Sequence, residues 1–249
     1  MASRGRSPLV LGHRPDAVRT RLDRPAPDTG TIRHMTDGVQ RWVVFDLGET
    51  LVDETENWGR WADYLAVPRL TFFAALGAVI AARRPHTDVF ELFRPGFRLA
   101  DETPRKAAAG LPWEFGVQDL YRDALPALQE LRGAGYRLAV MANQPLEAMA
   151  FLQTLPVDRV ATSAGWGVAK PDPAFFDHVA GEVGVAAERI AYIGDRVDND
   201  VLPARRAGML AVHLRRGPWG LIQQDWPEAA QAHLRLTTLD GIAGALATW

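Results

Sequence analysis

The feature of this sequence that most constrains its fold is a series of short apolar segments separated by amphipathic ones. The apolar segments contain β-branched residues and run almost without interruption, which is typical of strands buried on both faces. We predict strands over 41–46, 137–143, 159–163, 189–195 and 210–214. The amphipathic patterns predict helices over 123–135, 173–184 and 200–208, each ending at a glycine. This alternation predicts an α/β fold, a Rossmann-like parallel sheet with helices on both faces.

The connection between the first two predicted strands is several times longer than a crossover needs. It contains helical patterns over 55–67, 69–84 and 88–93. We therefore predict an inserted helical cap over 55–119 and a core domain formed by 39–54 and 120–249. The first 38 residues are predicted to be a disordered tail, because residues 1–34 hold seven Arg, four Pro and no sustained periodicity. We expect Met35 to be the natural start, with an Arg-rich transit peptide as the alternative.

Composition excludes several classes of function. A net charge of −2 and a pI near 6.3 argue against a nucleic-acid or membrane-surface partner. The lack of cysteine excludes disulfides, thiolate catalysis and zinc–thiolate sites, and it fits a reducing, cytoplasmic location. The apolar run 70–82 is shorter than the ~20 residues of a membrane-spanning helix, so we expect a buried core helix there. The sequence carries no signal for an oligomeric state.

Polar residues follow several of the predicted strands. Asp46 ends the first strand, Asn143 the second, and Asp195 and Asp200 lie at and just after the end of the fourth. The carboxyl ends of parallel strands meet at one edge of a sheet, so these residues can converge. Converging carboxylates repel one another unless a cation lies between them, and hard oxygen ligands suit Mg²⁺. Lys170 follows the third strand in a chain whose 28 basic residues include only two lysines, so its identity calls for a reason.

At this point the chain resembles a known family. The segments "FDLGETL", "AKPDP" and "IGDRVDND" are similar to the first, third and fourth motifs of the haloacid dehalogenase-like hydrolase superfamily. Their order and spacing agree over about residues 41–220. The helical insert falls just after the first motif, where many members of the family carry a cap. The resemblance implies a phosphatase-type member with a helical cap.

The resemblance also implies a mechanism, position by position. Asp46 matches the nucleophile, which attacks phosphorus and forms an aspartyl-phosphate. Asp195 matches a ligand of Mg²⁺, joined by a carboxylate oxygen of Asp46 and the backbone carbonyl of Gly48, and Asp200 matches an acid that binds or orients the metal shell. Lys170 matches the charge that steadies Asp46 and the transferred phosphoryl group. The implied activity is Mg²⁺-dependent hydrolysis of a small phosphorylated metabolite.

Two positions depart from the pattern of the family's phosphatases. Those enzymes usually carry a general-acid Asp two residues after the nucleophile, where this chain has Gly48, and a Ser or Thr at the end of the second strand, where it has Ala142. Asn143 is predicted to bind substrate instead, with a role in the turn as the alternative. Thr50 matches the polar residue that supports the nucleophile turn, and we group it with the substrate-binding residues. Glu49 is a candidate replacement acid, although neighbours on an extended chain point to opposite sides.

Other residues near the motifs have simpler explanations. Asp53 and Glu54 are predicted to cap the first helix of the insert. Asp198 can be a solvated acid or a ligand. Trp58 and Trp61 stand three apart and share a helix face, which predicts packing within the cap, with lining of the cleft as the alternative.

Two rival functions follow from the same residues. The double change at Gly48 and Ala142 is compatible with a catalytically weakened relative that binds a phosphorylated ligand or a protein. A dehalogenase is the third hypothesis, because dehalogenases of the family also lack the second Asp of the first motif. They use no metal, however, and this chain keeps Asp195 and Asp200.

Overall fold

The computed structural model describes residues 40–249, so the predicted tail and the start at Met35 lie outside the described residues. The described part contains one sheet of six parallel strands in the order β3-β2-β1-β4-β5-β6. The strands are β1 Trp42–Phe45, β2 Arg137–Ala142, β3 Arg159–Thr162, β4 Ile190–Gly194, β5 Leu210–Leu214 and β6 Leu234–Leu236. The predicted fold class is confirmed. Strand order reverses beside β1, which places the switch point of the sheet between β1 and β4.

The central strand β1 is buried on both faces because its apolar side chains alternate between two cores. Val43 and Phe45 pack into the core on one face of the sheet, and Trp42 and Val44 pack into the core on the other. Val44 is paired with Ala139 of β2 and with Tyr192 of β4. A strand fixed on both sides and both faces presents the residue that follows it, Asp46, at a defined position.

Helices cover both faces and fill the long connection. They are α1 Thr55–Tyr64, α2 Arg69–Ala81, α3 Asp88–Phe93, α4 Leu99–Ala108, α5 Ala124–Gly133, α6 Met149–Leu152, α7 Ser163–Trp166, α8 Pro173–Val183, α9 Leu202–Arg206, α10 Gly217–Gln223 and α11 Ile242–Leu246. Short 3-10 turns cover Val117–Asp119, Leu146–Ala148, Ala187–Arg189 and Pro227–Gln231. Gly184 and Gly208 follow α8 and α9 at φ of 69° and 83°, a conformation that glycine adopts without strain.

Several features differ from the sequence predictions, and the short helices α6, α7, α10 and α11 were not predicted. The helix predicted over 200–208 begins as a π-helical turn, Val197–Val201, and continues as α9. The short edge strand β6 was not predicted, because it has only three residues and none of them is fully buried. Helix α4 was also not predicted, since Pro104 lies inside it.

The helices α1 to α3 share an apolar cluster of their own, which Trp219 of α10 joins. Helix α2 buries Phe72, Leu76 and Ile80 but leaves Leu70 82% exposed, so the predicted core helix is buried on one face only. In the described part of the chain no single helix has the length and apolarity to cross a membrane. The helices α1 and α2, which are bent relative to each other, reach the required length and apolarity only when they are counted together.

Candidate active site

Three carboxylates meet beyond the carboxyl ends of β1 and β4. Asp46 follows β1, Asp195 follows β4, and Asp200 lies in the π-helical turn that comes next. One oxygen from each lies within 4.8 Å of the others, and all three residues are buried. The sheet therefore brings these predicted site residues together at its switch point.

Lys170 places a positive charge inside this cluster. Its ammonium donates hydrogen bonds of 2.6 Å to Oδ1 of Asp46 and of 2.6 Å to Oδ1 of Asp200. Burial alone would lower the pKa of Lys170, but the charges of Asp200 and Asp46 outweigh burial and hold that pKa well above its usual value. Lys170 is therefore a charged group in contact with the predicted nucleophile.

One carboxylate oxygen of the cluster has no partner. Among residues 40–249, nothing forms a hydrogen bond with the buried Oδ2 of Asp195. Burial, followed by the like charges of Asp200 and Asp46, raises the pKa of Asp195 well above its usual value. A hard divalent cation would relieve both the missing partner and the repulsion, and this donor set consists of oxygen atoms. The residues present therefore fit a divalent cation of the Mg²⁺ type.

The two remaining acids of the fourth motif have different surroundings. Both oxygens of Asp200 are already engaged, Oδ1 with Lys170 and Oδ2 with the backbone N–H of Arg196 at 3.0 Å. Of the two roles predicted for Asp200, this favours orienting the metal shell over binding the metal directly. Asp198 lies outside the cluster and accepts hydrogen bonds from Arg196 at 2.9 Å and from Gln223 at 3.1 Å. The structure thus favours the interpretation of Asp198 as a partly solvated acid.

Asn143 has a positioning contact rather than a free amide. Its Nδ2 donates to the backbone carbonyl of Lys170 at 2.9 Å, and its Oδ1 accepts from the backbone N–H of Lys170 at 2.8 Å. The side chain lines the cavity above Asp46, but both of its polar atoms hold the Lys170 loop. These bonds agree with the predicted alternative, a role in the turn, and the second N–H of the amide leaves the substrate contact a prediction.

Thr50 does not reach the cavity either. Its side chain has no exposed surface, and the residue is absent from the cavity lining. Its backbone N–H bonds the carbonyl of Leu47 at 3.2 Å, within the turn that follows Asp46. The buried hydroxyl of Thr50 has no hydrogen-bond partner among residues 40–249, so its support of the nucleophile turn stays a prediction. Its location disagrees with grouping Thr50 among the substrate-binding residues.

A carboxylate that we predicted to be a helix cap occupies the space beside Gly48. A Cβ atom added to Gly48 would lie 2.4 Å from Oε1 and 2.5 Å from Cδ of Glu54. Glu54 precedes α1, yet its side chain makes no capping bond, and its Oε2 accepts the indole N–H of Trp58 at 3.1 Å. The predicted cap is wrong for Glu54, whereas Asp53 does accept the N–H of Thr55, at 2.8 Å.

Glu54 thus fills the volume that an aspartate at residue 48 would take. Both Gly48 and Glu54 line the cavity. Burial, followed by the like charge of Glu49, raises the pKa of Glu54 to about 8. A carboxyl group in this environment holds a proton near neutral pH.

Glu49, the candidate replacement acid, has both of its oxygens engaged. Oε2 accepts from the hydroxyl of Tyr121 at 2.5 Å, and Oε1 accepts from the backbone N–H of Glu54 at 3.0 Å. The φ of Glu49 is 51°, so the chain is not extended here. Neighbouring side chains therefore need not point to opposite sides. Glu49 therefore holds the backbone of Glu54 rather than taking the place of the missing acid.

The carboxylate cluster opens into a cavity of about 300 Å³. Much of the remaining wall is aromatic, formed by Trp58, Trp61, Phe90, Trp113 and Trp219. The centroid of the Trp58 ring lies 6.3 Å from that of Phe90, 6.2 Å from Trp113 and 5.7 Å from Trp219. Trp58 and Trp61 therefore pack within the insert and also line the cleft, so the two roles predicted as alternatives occur together.

The sequence analysis did not predict three charged residues of this cavity, Glu54, Lys106 and Arg196. No local pattern distinguishes Glu54 from an ordinary residue before a helix. A signal for Lys106 was present, because only two of the 28 basic residues are lysine and the other one, Lys170, belongs to the site.

The sheet order and the acidic cluster define an α/β protein with a site at the switch point, as in many hydrolases and nucleotide-binding proteins. Residues 40–208, the greater part of the chain, match the haloacid dehalogenase-like hydrolase family. This chain therefore belongs to the haloacid dehalogenase-like hydrolases, and it is a member of an enzyme family.

Known proteins of the family share parts of the chain. The glyceraldehyde 3-phosphate phosphatase of Methanopyrus kandleri is 35% identical over 129 residues, which are 48% of this chain and 55% of that protein. The chain thus spans about half the length of this curated relative.

Solved structures show the same fold. A HAD phosphatase from Thermococcus onnurineus is 22% identical with a TM-score of 0.52, covering 83% of this chain and 98% of that one. A 2-haloacid dehalogenase from Pseudomonas syringae pv. tomato is 22% identical with a TM-score of 0.53, covering 85% of this chain and 100% of that one. Since a phosphatase and a dehalogenase share this fold, the function must be argued from the site.

Proposed function

We propose that this protein is a Mg²⁺-dependent phosphatase that acts on a small phosphorylated metabolite through an aspartyl-phosphate intermediate. The observation that carries the proposal is the position of Asp46, held at Oδ1 by the Lys170 ammonium beside the unpartnered oxygen of Asp195. A nucleophile between a fixed cation and a cation site suits a substrate that carries two negative charges. The curated relative named above is itself a phosphatase.

The proposed reaction has two displacements at phosphorus. In the first, the oxygen of Asp46 that Lys170 does not hold attacks phosphorus, and the bond from phosphorus to the leaving oxygen breaks. In the second, water attacks the aspartyl-phosphate, the bond to Asp46 breaks, and inorganic phosphate is released. Lys170 holds the orientation of Asp46 and offsets negative charge throughout.

We propose that Glu54 is the general acid that protonates the leaving oxygen. Its carboxyl group occupies the space of the missing side chain at residue 48, and it lines the cavity above Asp46. In the first step it gives its proton to the leaving oxygen, and in the second its carboxylate takes a proton from the attacking water. The bond from Trp58 at 3.1 Å keeps this carboxyl group in place.

Asp46, Asp195 and the backbone carbonyl of Gly48 would hold Mg²⁺, with Asp200 orienting the residues around it. When bound, the ion supplies positive charge that neutralises the phosphoryl oxygens and the carboxylate repulsion. The unpartnered Oδ2 of Asp195 supports this assignment.

We also propose that residues 55–119 form a cap over a core of 39–54 and 120–249. The aromatic residues of the insert in the cavity wall support this division. The lack of cysteine and the net charge of −2 support a cytoplasmic enzyme without a nucleic-acid or membrane partner.

The test is a panel of phosphate esters and acyl phosphates, assayed for phosphate release with and without Mg²⁺. We expect Mg²⁺-dependent release from at least one compound, reduced to background in Asp46→Asn. Asp198→Asn, which changes a neighbouring acid outside the cluster, is the matched control and should keep the Mg²⁺ dependence. If no compound is hydrolysed faster by the wild type than by Asp46→Asn, the proposed function is wrong.

The panel also separates the rival functions. Binding of phosphate compounds without turnover would support the catalytically weakened relative. Release of halide from a 2-haloacid without added metal would support the dehalogenase. The unpartnered oxygen of Asp195 favours the metal-dependent reaction over both.

A further inference from the structure

The insert places one charged group in the cavity wall that the proposed reaction does not use. Lys106, on α4, is 2% exposed and lines the cavity. Its ammonium donates to the backbone carbonyl of Leu111 and lies 4.9 Å from the centroid of the Trp61 ring. Within residues 40–249 no carboxylate forms an ion pair with it. The one opposing charge in this range that acts on it is Glu114, which is itself paired with Arg60 at 3.2 Å.

The surroundings of Lys106 favour an anionic ligand. An ammonium has three N–H donors, and the Leu111 carbonyl takes one of them. Burial, followed by the like charge of Arg60, lowers the pKa of Lys106 to about 8, as expected for a buried cation that lacks a partner. A carboxylate placed at the ammonium would offset both effects.

The choice of lysine supports the same conclusion. Of the 28 basic residues, 26 are arginine and two are lysine. Lys106 lines the cavity, and Lys170 is buried behind it and bonded to Asp46, which does line it. An ammonium is a compact point charge, whereas a guanidinium is a wide planar fork. In a cavity of about 300 Å³, lysine leaves more room for a ligand.

The rest of the insert's wall is suited to a flat apolar group. Trp58, Trp61, Phe90 and Trp113 are the aromatic residues of this wall, and Thr103 and His86 are the other polar residues that the insert contributes. Gln144, Arg196 and Asn199 line the cavity from outside the insert. Hydroxyl groups of a polyol packed against the aromatic wall would have no partners there, at a cost in free energy for each. A ring can stack on or pack edge-on against the aromatic side chains.

We propose that the substrate is a phosphate monoester whose organic part is a flat apolar group with a carboxylate at the end away from the phosphate, and that Lys106 binds this carboxylate. The inference rests on the proposed function and names its substrate class. Lys106 is then a specificity-determining residue, and a cavity of about 300 Å³ has room for a ring together with its phosphate and carboxylate.

The experiment compares benzyl phosphate with 4-carboxybenzyl phosphate, using the full chain and Mg²⁺. The para carboxylate is remote from the leaving oxygen, so the two alcohols have similar acidity and the ratio of kcat/KM reports recognition. We expect the carboxylate ester to be preferred by about tenfold or more, mainly through KM. Glycerol 3-phosphate, the polar comparator, should have a lower kcat/KM than benzyl phosphate.

Lys106→Met keeps the apolar stem and removes the charge, so the preference should fall to near one. Arg105→Met removes a charge from the same helix at an exposed position, 67% exposed in its side chain, and should leave the preference unchanged. A wild-type ratio near one, or an unchanged ratio in Lys106→Met, would overturn the proposal.

Quenching of tryptophan fluorescence measures the affinity of the wild type for both esters and does not require that they are hydrolysed. Because it uses the wild type, this part of the test does not depend on the folding of a variant. Tighter binding of the carboxylate ester without turnover would overturn the proposed function and support the Lys106 site. Turnover of both esters without a preference would overturn the Lys106 site alone.

Discussion

The Glu54 carboxyl group occupies the space that any side chain at residue 48 would need. Because a Cβ atom at residue 48 would lie 2.4 Å from the Glu54 carboxylate, the glycine and the glutamate are a matched pair. The loss of the usual acid at residue 48 is accompanied by a carboxyl group from a different segment. At the scale of single residues, the site keeps a carboxyl group at this place, although a different residue supplies it.

This pairing predicts the effect of restoring the family's usual residue. Gly48→Asp should lower kcat/KM by about tenfold or more, since the new side chain displaces the carboxyl group of Glu54, the proposed acid. The double variant Gly48→Asp with Glu54→Ala should recover part of that loss, because the space is then free. Steady-state kinetics of the two variants and of Glu54→Ala check this. A gain in turnover from Gly48→Asp alone would support the weakened relative instead.

Removing the acid should have an effect that depends on the leaving group. Glu54→Gln should reduce kcat/KM for an alkyl phosphate by about 10²–10⁴-fold, the usual contribution of general acid catalysis. An acyl phosphate needs little help from an acid, so its hydrolysis should fall far less. The measurement is the ratio of the two rates in wild type and variant. Equal losses for both substrates would contradict the assignment.

The sequence reveals some of these residues and hides others for a physical reason. Asp46, Lys170 and Asp195 could be predicted because each directly follows or lies near a strand end, and the sheet then brings them together. Glu54 could not, since its position over Gly48 depends on how α1 leaves the turn and on the Trp58 bond. Such tertiary contacts leave no local pattern.

At the scale of elements, the end of β2 and the Lys170 loop act as one unit. Asn143 bonds both the backbone N–H and the carbonyl of Lys170, and Lys170 in turn holds Asp46. Strongly apolar or amphipathic elements such as β1, β4 and α8 follow from their patterns. Short elements such as β6 do not, because pairing with β5 rather than their own pattern maintains them.

Asn143→Ala tests this unit. Removing both bonds should lower the free energy of unfolding by about 1–3 kcal/mol, because two backbone groups of Lys170 lose their partner. It should also lower kcat with little change in KM, since Asn143 positions Lys170 rather than binding substrate. Urea unfolding and steady-state kinetics measure the two effects. A rise in KM at constant kcat would instead support the substrate contact predicted from the sequence.

At the scale of the whole molecule, the carboxylate cluster should tie stability to metal. Asp195→Asn keeps the shape and removes one repelling charge, so without Mg²⁺ the variant should melt about 2–4 °C above the wild type. Added Mg²⁺ should raise the Tm of the wild type and of Asp198→Asn but not that of Asp195→Asn. Thermal unfolding with and without the ion provides the comparison, and an equal response in all three proteins would contradict the assigned ligand.

His86 should make the fold sensitive to acid. Burial, followed by the charge of Arg196, lowers the pKa of His86 from 6.5 to about 4. Between these pH values the unfolded chain binds a proton that the folded chain does not, so stability falls as the pH is lowered through this window. His86→Gln should reduce that loss by about 1–3 kcal/mol. His178→Gln, at an exposed position on α8, is the control, and identical pH profiles for the wild type and His86→Gln would refute the prediction.

The position of Glu54 also affects how this chain can be recombined with its relatives. Glu54 immediately precedes α1, at the junction between the strand that presents Asp46 and the helical insert. An insert transplanted from a relative that lacks tryptophan at residue 58 would not supply the side chain that bonds the Glu54 carboxyl group. Conversely, this insert grafted onto a core with aspartate at the position of Gly48 would bring two acids into one space. Core and insert are therefore not interchangeable modules, and a working chimera must take residues 48, 54 and 58 from the same parent.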